Sequence, residues 1–151
     1  VNLAGQIPSY TLKQLLDYKS EHRDERSMKK AVRKLEEQDM ADLAQYYGSL
    51  PLPEAAHTVA GDVMTLVKKG DHTRMLKSCN SCHGQKGQGD AFETPSISGQ
   101  KNTYFVDTII EMQEGDRTND VYSRMRVIAE VLTEQEIQAL ADYYGQTPQA
   151  E

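Results

Sequence analysis

Cys79-Asn80-Ser81-Cys82-His83-Gly84 is the stretch around which the rest of the chain is organised. It holds the only two cysteines in 151 residues, three positions apart, with an imidazole directly after the second. A framework of several disulfides is thereby excluded. Two thiols separated by two residues on a helical turn are placed to add to the two vinyl groups of a haem, and the adjacent imidazole then faces the iron. Three other readings stand beside this one. A thioredoxin-like pair calls for a strand-helix-strand pattern, and none is visible. A zinc site needs a fourth ligand, for which His57 and His72 are candidates without a paired-ligand motif around them. A structural disulfide across two residues is strained.

Downstream, Gly84, Gly87, Gly89 and Pro95 fall in a stretch from His83 to Gly99 without apolar periodicity, which predicts a loop wrapped around something. A carbonyl held still by Pro95 suits the second ring N–H of a metal-bound imidazole; the alternative is an ordinary turn proline. If iron at His83 transfers electrons, it needs a sixth ligand, and a thioether keeps it six-coordinate. Of six methionines, Met125 fits best, about forty residues beyond the motif and just before the last helix. Met64 and Met112 sit in apolar helical patterns as core filler, and Met75 is too close to Cys79 to reach the opposite face. Tyr104 and Arg117 are candidates for haem propionates; their alternatives are a core aromatic and a solvated cation.

Leu12, Leu15 and Leu16 near the start, and Ile137, Leu140, Ala141 and Tyr144 near the end, recur at the spacing of one helix face, and few stretches alternate with period two. An all-α fold is expected. Thr133 three residues before Glu136 marks a capped helix start, closed by Gly145 and Pro148. Pro51-Leu52-Pro53 divides the chain into residues 1–50, a linker at 51–57, and residues 58–151.

The two parts answer each other. Ala4-Gly5-Gln6 with Tyr10 matches Ser98-Gly99-Gln100 with Tyr104 at an offset of 94, and Arg23 matches Arg117. At an offset of 97, nine of the twenty-one positions from 28 to 48 are identical, Met28 with Met125 and Tyr46-Tyr47-Gly48 with Tyr143-Tyr144-Gly145 among them. This ordered set predicts an internal duplication in which the first copy lacks the half that would carry its own Cys-x-x-Cys-His. A piece of about 50 residues buries little core alone and must pack on the second copy or belong to a longer chain.

Seventeen Lys+Arg against twenty-three Asp+Glu give a net charge of −6, with no nucleic-acid footprint. Residues 68–101 nevertheless carry six basic against three acidic residues, and residues 102–151 three against ten. No window approaches the roughly 18 apolar residues of a membrane span. Val1–Tyr10 lacks the regions of a signal peptide, so the expectation is an export signal already removed.

Taken together, Cys79 to Gly84, Gly87-Gln88-Gly89, Pro95 to Gln100, Tyr104, Arg117-Thr118-Asn119-Asp120, Met125-Arg126 and Leu132-Thr133 resemble a class I cytochrome c. They resemble more closely the second lobe of the two-haem periplasmic cytochrome c4 family. The resemblance implies an all-α class I cytochrome c fold in two tandem lobes, with propionates near a pseudo-twofold interface. It implies haem c attached outside the cytoplasm, hence a periplasmic location, with His83 and Met125 as axial ligands. The chain departs from the family in having no haem motif in its first lobe, so Met28 would serve a second haem only if upstream residues carry one. A fragment is expected here in preference to a degenerate lobe. The stretch Lys19–Lys34, with seven basic and three acidic residues, resembles cytochrome subunits seated on a flavoprotein sulfide dehydrogenase. The expected function is single-electron transfer between a redox donor and acceptor with an acidic docking surface. The alternative is a haem-carrying subunit of a dehydrogenase, its partner a flavoprotein or oxidase subunit. A di-haem peroxidase would need two motifs and an open iron.

Overall fold

Proline at the first helical position starts α1 (Pro8–Lys19), and a Glu25 side chain accepting from the Ser27 and Met28 amides starts α2 (Arg26–Val32). With α3 (Glu37–Ser49) they form the first lobe, α1 packing on both α2 and α3. The computed structural model describes residues 1–57, 61–91 and 93–145. Its second lobe holds α4 (Asp62–Lys69), the one-turn α5 (Asn80–His83), α6 (Asn102–Glu114), α7 (Arg124–Ala129) and α8 (Glu134–Tyr144). Among the described residues there are only isolated bridge pairs and no strands, so the fold is all-α. No described helix is long and apolar enough to cross a membrane.

The helices repeat in register. α1, α2 and α3 match α6, α7 and α8, and α6 packs on α7 and α8 as α1 does on its own pair. Thr133 and Glu136 form the expected reciprocal cap, the Glu136 amide donating to Thr133 Oγ1 (3.2 Å) and the Thr133 amide to Glu136 Oε2 (2.9 Å). Glu36 and Asp39 occupy the matching positions of α3, the Glu36 amide donating to Asp39 Oδ2 (2.8 Å). α8 ends at Gly145, whose N–H reaches the Ala141 carbonyl; Pro148 lies outside the described residues.

The lobes differ in what they bury. Val63, Leu66 and Val67 from α4 close the second-lobe core over Leu132, Ile137, Leu140 and Tyr143, each such side chain contributing roughly 1.5–3 kcal/mol. Nothing described plays the part of α4 in the first lobe. Tyr46 is 59% exposed where its counterpart Tyr143 is 5% exposed. α1 departs from its leucine pattern too: Leu12, Leu15 and Leu16 are only half-buried, while Thr11, Gln14 and Tyr18 are buried. The physical reason is that this side of α1 meets the other lobe, where Gln14 accepts from Arg117 and Asn119.

Two glutamines join the lobes by exchanged contacts. Gln6 holds both backbone groups of Ser96, donating to its carbonyl (2.9 Å) and accepting from its amide (2.7 Å). Gln100 does the same to Asn2, at 3.1 and 2.7 Å, and Asn2 and Ser96 are themselves 94 positions apart. Residues 51–57, expected as a linker, run between the two Gly-Gln turns. Ala56 and His57 donate to the carbonyls of Gly145 and Tyr143, and Pro53 O accepts from Ser98 Oγ. A Cβ on Gly5 would stand 2.5 Å from Leu52 Cα, and one on Gly99 2.5 Å from Pro53 Cβ, both at left-handed φ. Gly5→Ala and Gly99→Ala are each expected to cost about 2–4 kcal/mol, from the left-handed penalty plus overpacking. Urea unfolding of each variant measures this, and a Gly115→Ala control, left-handed but with open space around it, is expected to lose less.

Candidate haem site

His83 closes the single turn of α5 and is buried, its amide bonded to the Cys79 carbonyl (2.9 Å). Its Nδ1 lies 2.9 Å from the Pro95 carbonyl. A carbonyl only accepts, so the proton sits on Nδ1 and the Nε2 lone pair is left for a metal. Burial pulls the His83 pKa down, opposed by the bond to Pro95, so the neutral, ligating form is favoured. The loop from Gly84 onwards is drawn in by Gly89 N–H to the His83 carbonyl (2.8 Å) and by Ile97 and Ser98 N–H to the Gly87 carbonyl (2.8 and 3.0 Å). Gly87 lies so close to the Tyr144 ring that a Cβ there would approach it to 2.8 Å.

Cys79 is half-buried against the core and Cys82 is exposed; both thiols are unpaired. Burial raises the Cys79 pKa to about 11, which keeps the thiol protonated near neutrality. Met125 lies on α7 and packs, half-buried, on the same core that Cys79, Ile97, Phe105 and Ile128 border. Asp120 Oδ2 accepts from the Met125 and Arg126 amides (3.0 and 3.1 Å) while Oδ1 accepts from Arg126 Nε (2.7 Å), fixing the start of α7. Burial alone would raise the Asp120 carboxyl, but the bonds from Arg126 outweigh it and hold it below its ordinary value. Met75 is 87% exposed, Met112 is in the core and Met64 packs against it, as their positions imply.

Tyr104 and Arg117 come together with a first-lobe set that sequence reasoning did not single out as site residues. Arg117 donates to Tyr10 Oη (3.0 Å), and Arg23 donates to Tyr104 Oη (3.1 Å), so each lobe's arginine bonds the other lobe's tyrosine. Between them Gln14 Oε1 accepts from Arg23 (2.8 Å), Asn119 (2.9 Å) and Arg117 (3.3 Å). Both guanidiniums are buried, and among the described residues neither has a carboxylate within ion-pair distance. Burial would raise the Tyr104 phenol, yet the two arginines together bring its pKa below the usual value. The duplication did carry the signal for Tyr10 and Arg23, through their pairing with Tyr104 and Arg117. Gln14 left none, because its counterpart is Thr108.

The competing readings of the cysteine pair find little here. Among the described residues no strand accompanies a redox pair, and no three His, Cys, Asp or Glu side chains gather to hold a metal ion. His57 instead packs edge-on against Tyr143, 4.7 Å between centroids. A haem asks for a ligating imidazole with its other nitrogen fixed, apolar walls and cations for its propionates. Those are the groups present.

The family described as "Cytochrome C oxidase, cbb3-type, subunit III" matches residues 67–143. A cytochrome c4 of Thiocapsa roseopersicina is 34% identical over 145 residues, covering 93% of this chain and 75% of that protein. The crystal structure of a reduced recombinant cytochrome c4 from Pseudomonas stutzeri superposes with a TM-score of 0.86 at 30% identity, over 94% of this chain and 82% of that one. The chain belongs to the cytochrome c4 family. It is therefore a class I c-type cytochrome of electron transfer, an electron carrier whose prosthetic group is haem c. Another relative is the thiosulfate dehydrogenase electron acceptor of Stutzerimonas stutzeri, 29% identical over 99% of this chain and 71% of that protein.

In this cytochrome Gln14 Oε1 is an acceptor shared by donors of both lobes. Gln14→Leu is expected to cost about 1–3 kcal/mol, the penalty for leaving buried donors unpaired. Gln14→Glu is expected to retain the fold above pH 5. The new carboxyl, beside two guanidiniums, has a folded pKa below its unfolded value, so its contribution is full above the latter and disappears as pH falls through the folded pKa. Urea titrations of both variants at pH 3, 5 and 7 distinguish the two patterns.

Proposed function

We propose that this chain is a periplasmic carrier moving single electrons through one haem c bound by the second lobe. Cys79 and Cys82 form the thioethers, and His83 Nε2 and Met125 Sδ are the axial ligands. The observation that carries this reading is the buried His83 whose Nδ1 is committed to Pro95. When bound, the haem supplies a reversible one-electron couple at its iron. The protein's part is to hold His83 in one tautomer through Pro95, to keep the iron six-coordinate, and to shed water from the apolar wall of Ile97, Phe105 and Ile128. Arg117 and Tyr104 supply cation and phenol toward the propionates, and two nearby guanidiniums favour whichever redox state carries the more negative charge.

Residues 1–50 are read as the later half of a first lobe, with Met28 the ligand of a second haem if residues upstream of Val1 carry its attachment motif. The groove lined by Leu35, Leu43 and Tyr46 supports this. Their counterparts Leu132, Leu140 and Tyr143 are buried under α4, and Asp39, also in the groove, corresponds to Glu136, which Arg74 holds at 2.7 Å. The first-lobe groove thus has the shape and charge for a helix like α4 followed by a cation. Exposed Lys68, Lys69, Lys77, Lys86 and Lys101 give the second lobe a cationic rim suited to an acidic partner. A second reading makes the chain the cytochrome subunit of a dehydrogenase complex, favoured by its similarity along almost its whole length to the thiosulfate dehydrogenase electron acceptor.

Protein from its native source is expected to carry haem that acid-acetone does not extract, and its reduced form is expected not to bind carbon monoxide. Met125→Ala is expected to open the iron to carbon monoxide and lower its reduction potential. Rapid carbon monoxide binding by the unaltered protein would remove Met125 from the reading. Intact mass with haem iron per chain counts the haems, and copurification with an enzyme separates subunit from free carrier.

A further inference from the structure

We propose that the outward face of α2 is a docking surface for an acidic redox protein, separate from the lysine rim of the second lobe. Arg26, Lys30 and Arg33 stand at i, i+4 and i+7, and Arg33, just past the helix, keeps helical dihedrals. Lys34 follows beside them, and all four are exposed. Met28 and Val32, half a turn round, face inward. Lys29 is tied to Asp24 (3.0 Å) and Glu21 (3.7 Å). Among the described residues no carboxylate pairs with the other four. Like charges at this spacing oppose the helix that carries them, so folding alone does not favour the stripe.

The duplication supplies an internal control. Lys19–Lys34 holds seven basic and three acidic residues, whereas the matching stretch 113–131 holds three and four. Outside Lys19–Lys34 the chain has ten basic and twenty acidic residues, so this stretch concentrates positive charge on an otherwise acidic chain. Such a local concentration of charge steers an approaching acidic partner before contact. A shallow concavity between Tyr18, Lys19, Lys30 and Arg33 continues the stripe. Exposed Glu21, Asp24, Glu25, Glu36 and Glu37 flank it. That acidic border limits the contact to a compact anionic patch, as on a protein, and repels an extended polyanion or an anionic membrane. The two lobes then address separate partners, with α2 serving the lobe of Met28. This last step rests on the reading of the first lobe as an electron-transfer lobe.

A plant-type [2Fe–2S] ferredoxin serves as the acidic probe. Titrating the isotope-labelled holoprotein with oxidised ferredoxin at low salt is expected to shift the amide resonances of residues 26–34. Lys30→Glu/Arg33→Glu/Lys34→Glu is expected to weaken binding at least tenfold, and Lys68→Glu/Lys69→Glu/Lys77→Glu to leave the α2 shifts in place. Circular dichroism checks that each variant is folded. Shifts confined to the second-lobe lysines, binding unaffected by the α2 substitutions, or adsorption to phosphatidylserine vesicles in place of ferredoxin binding would overturn the proposal. Stopped-flow reduction, one electron passing from the reduced cluster to ferric haem, separates the two readings. If the α2 variant binds tenfold more weakly yet is reduced at the unaltered rate, docking at α2 stands and electron entry through the first lobe falls.

Discussion

Everything in this molecule depends on the exchange of hydrogen bonds across its pseudo-twofold interface. The first lobe buries Tyr18, Val32, Met40 and Ala44 and little else that is apolar and large. At roughly 1.5–3 kcal/mol for each large apolar side chain, set against about 1–2 kcal/mol of backbone entropy for every residue ordered, three helices on so small a core do not hold together by themselves. They are ordered by Gln6 on Ser96, Gln100 on Asn2, and the crossed pairs of Arg23 with Tyr104 and Arg117 with Tyr10. Each lobe thereby finishes the other's polar interior. The arginines at the interface are held by a glutamine carbonyl and two phenols, all formally neutral, so the positive charge there remains available to an anion.

The interface and the candidate haem site are one construction. Gln6 fixes Ser96, and Ser96 adjoins Pro95, whose carbonyl sets the His83 tautomer. A first-lobe side chain therefore stands two steps from the imidazole. At the other end, Tyr144 is fully buried, places its ring against Gly87, and directs its hydroxyl to Asn80 (3.3 Å), tying α8 to α5 and to the loop at once. Glycine at 87 is needed because the ring occupies the space a side chain would take.

Much of this was legible in the sequence, for identifiable reasons. The Cys79–His83 spacing, the Thr133–Glu136 cap and the Pro95 turn are local, and local chemistry is written in adjacent letters. The paired helices were legible because duplication turns one sequence into its own comparison. The burial of α1 was not, since Leu12, Leu15 and Leu16 advertise an apolar face, while the positions that become buried are Thr11, Gln14 and Tyr18. Gln14 is buried because partners await it, and those partners, Arg117 and Asn119, lie about a hundred residues away. Gln14 breaks the repeat as well, so neither periodicity nor self-comparison marked it.

The duplicated lobes also separate what folding requires from what contact with partners requires. Several positions that meet across the interface or close a turn are kept in both copies: Gly5 and Gly99, Gln6 and Gln100, Tyr10 and Tyr104, Arg23 and Arg117. These are fixed by geometry, since a change on one side leaves a buried group on the other without its partner. The outward faces of α2 and α7 answer to no such constraint and have moved apart, Lys30 facing Val127, Arg33 facing Glu130 and Lys34 facing Val131 in the alignment of the copies. A fold that supports itself through reciprocal interior contacts leaves these two exterior faces free to differ in charge. That freedom allows one chain to present different surfaces to an electron's source and its destination.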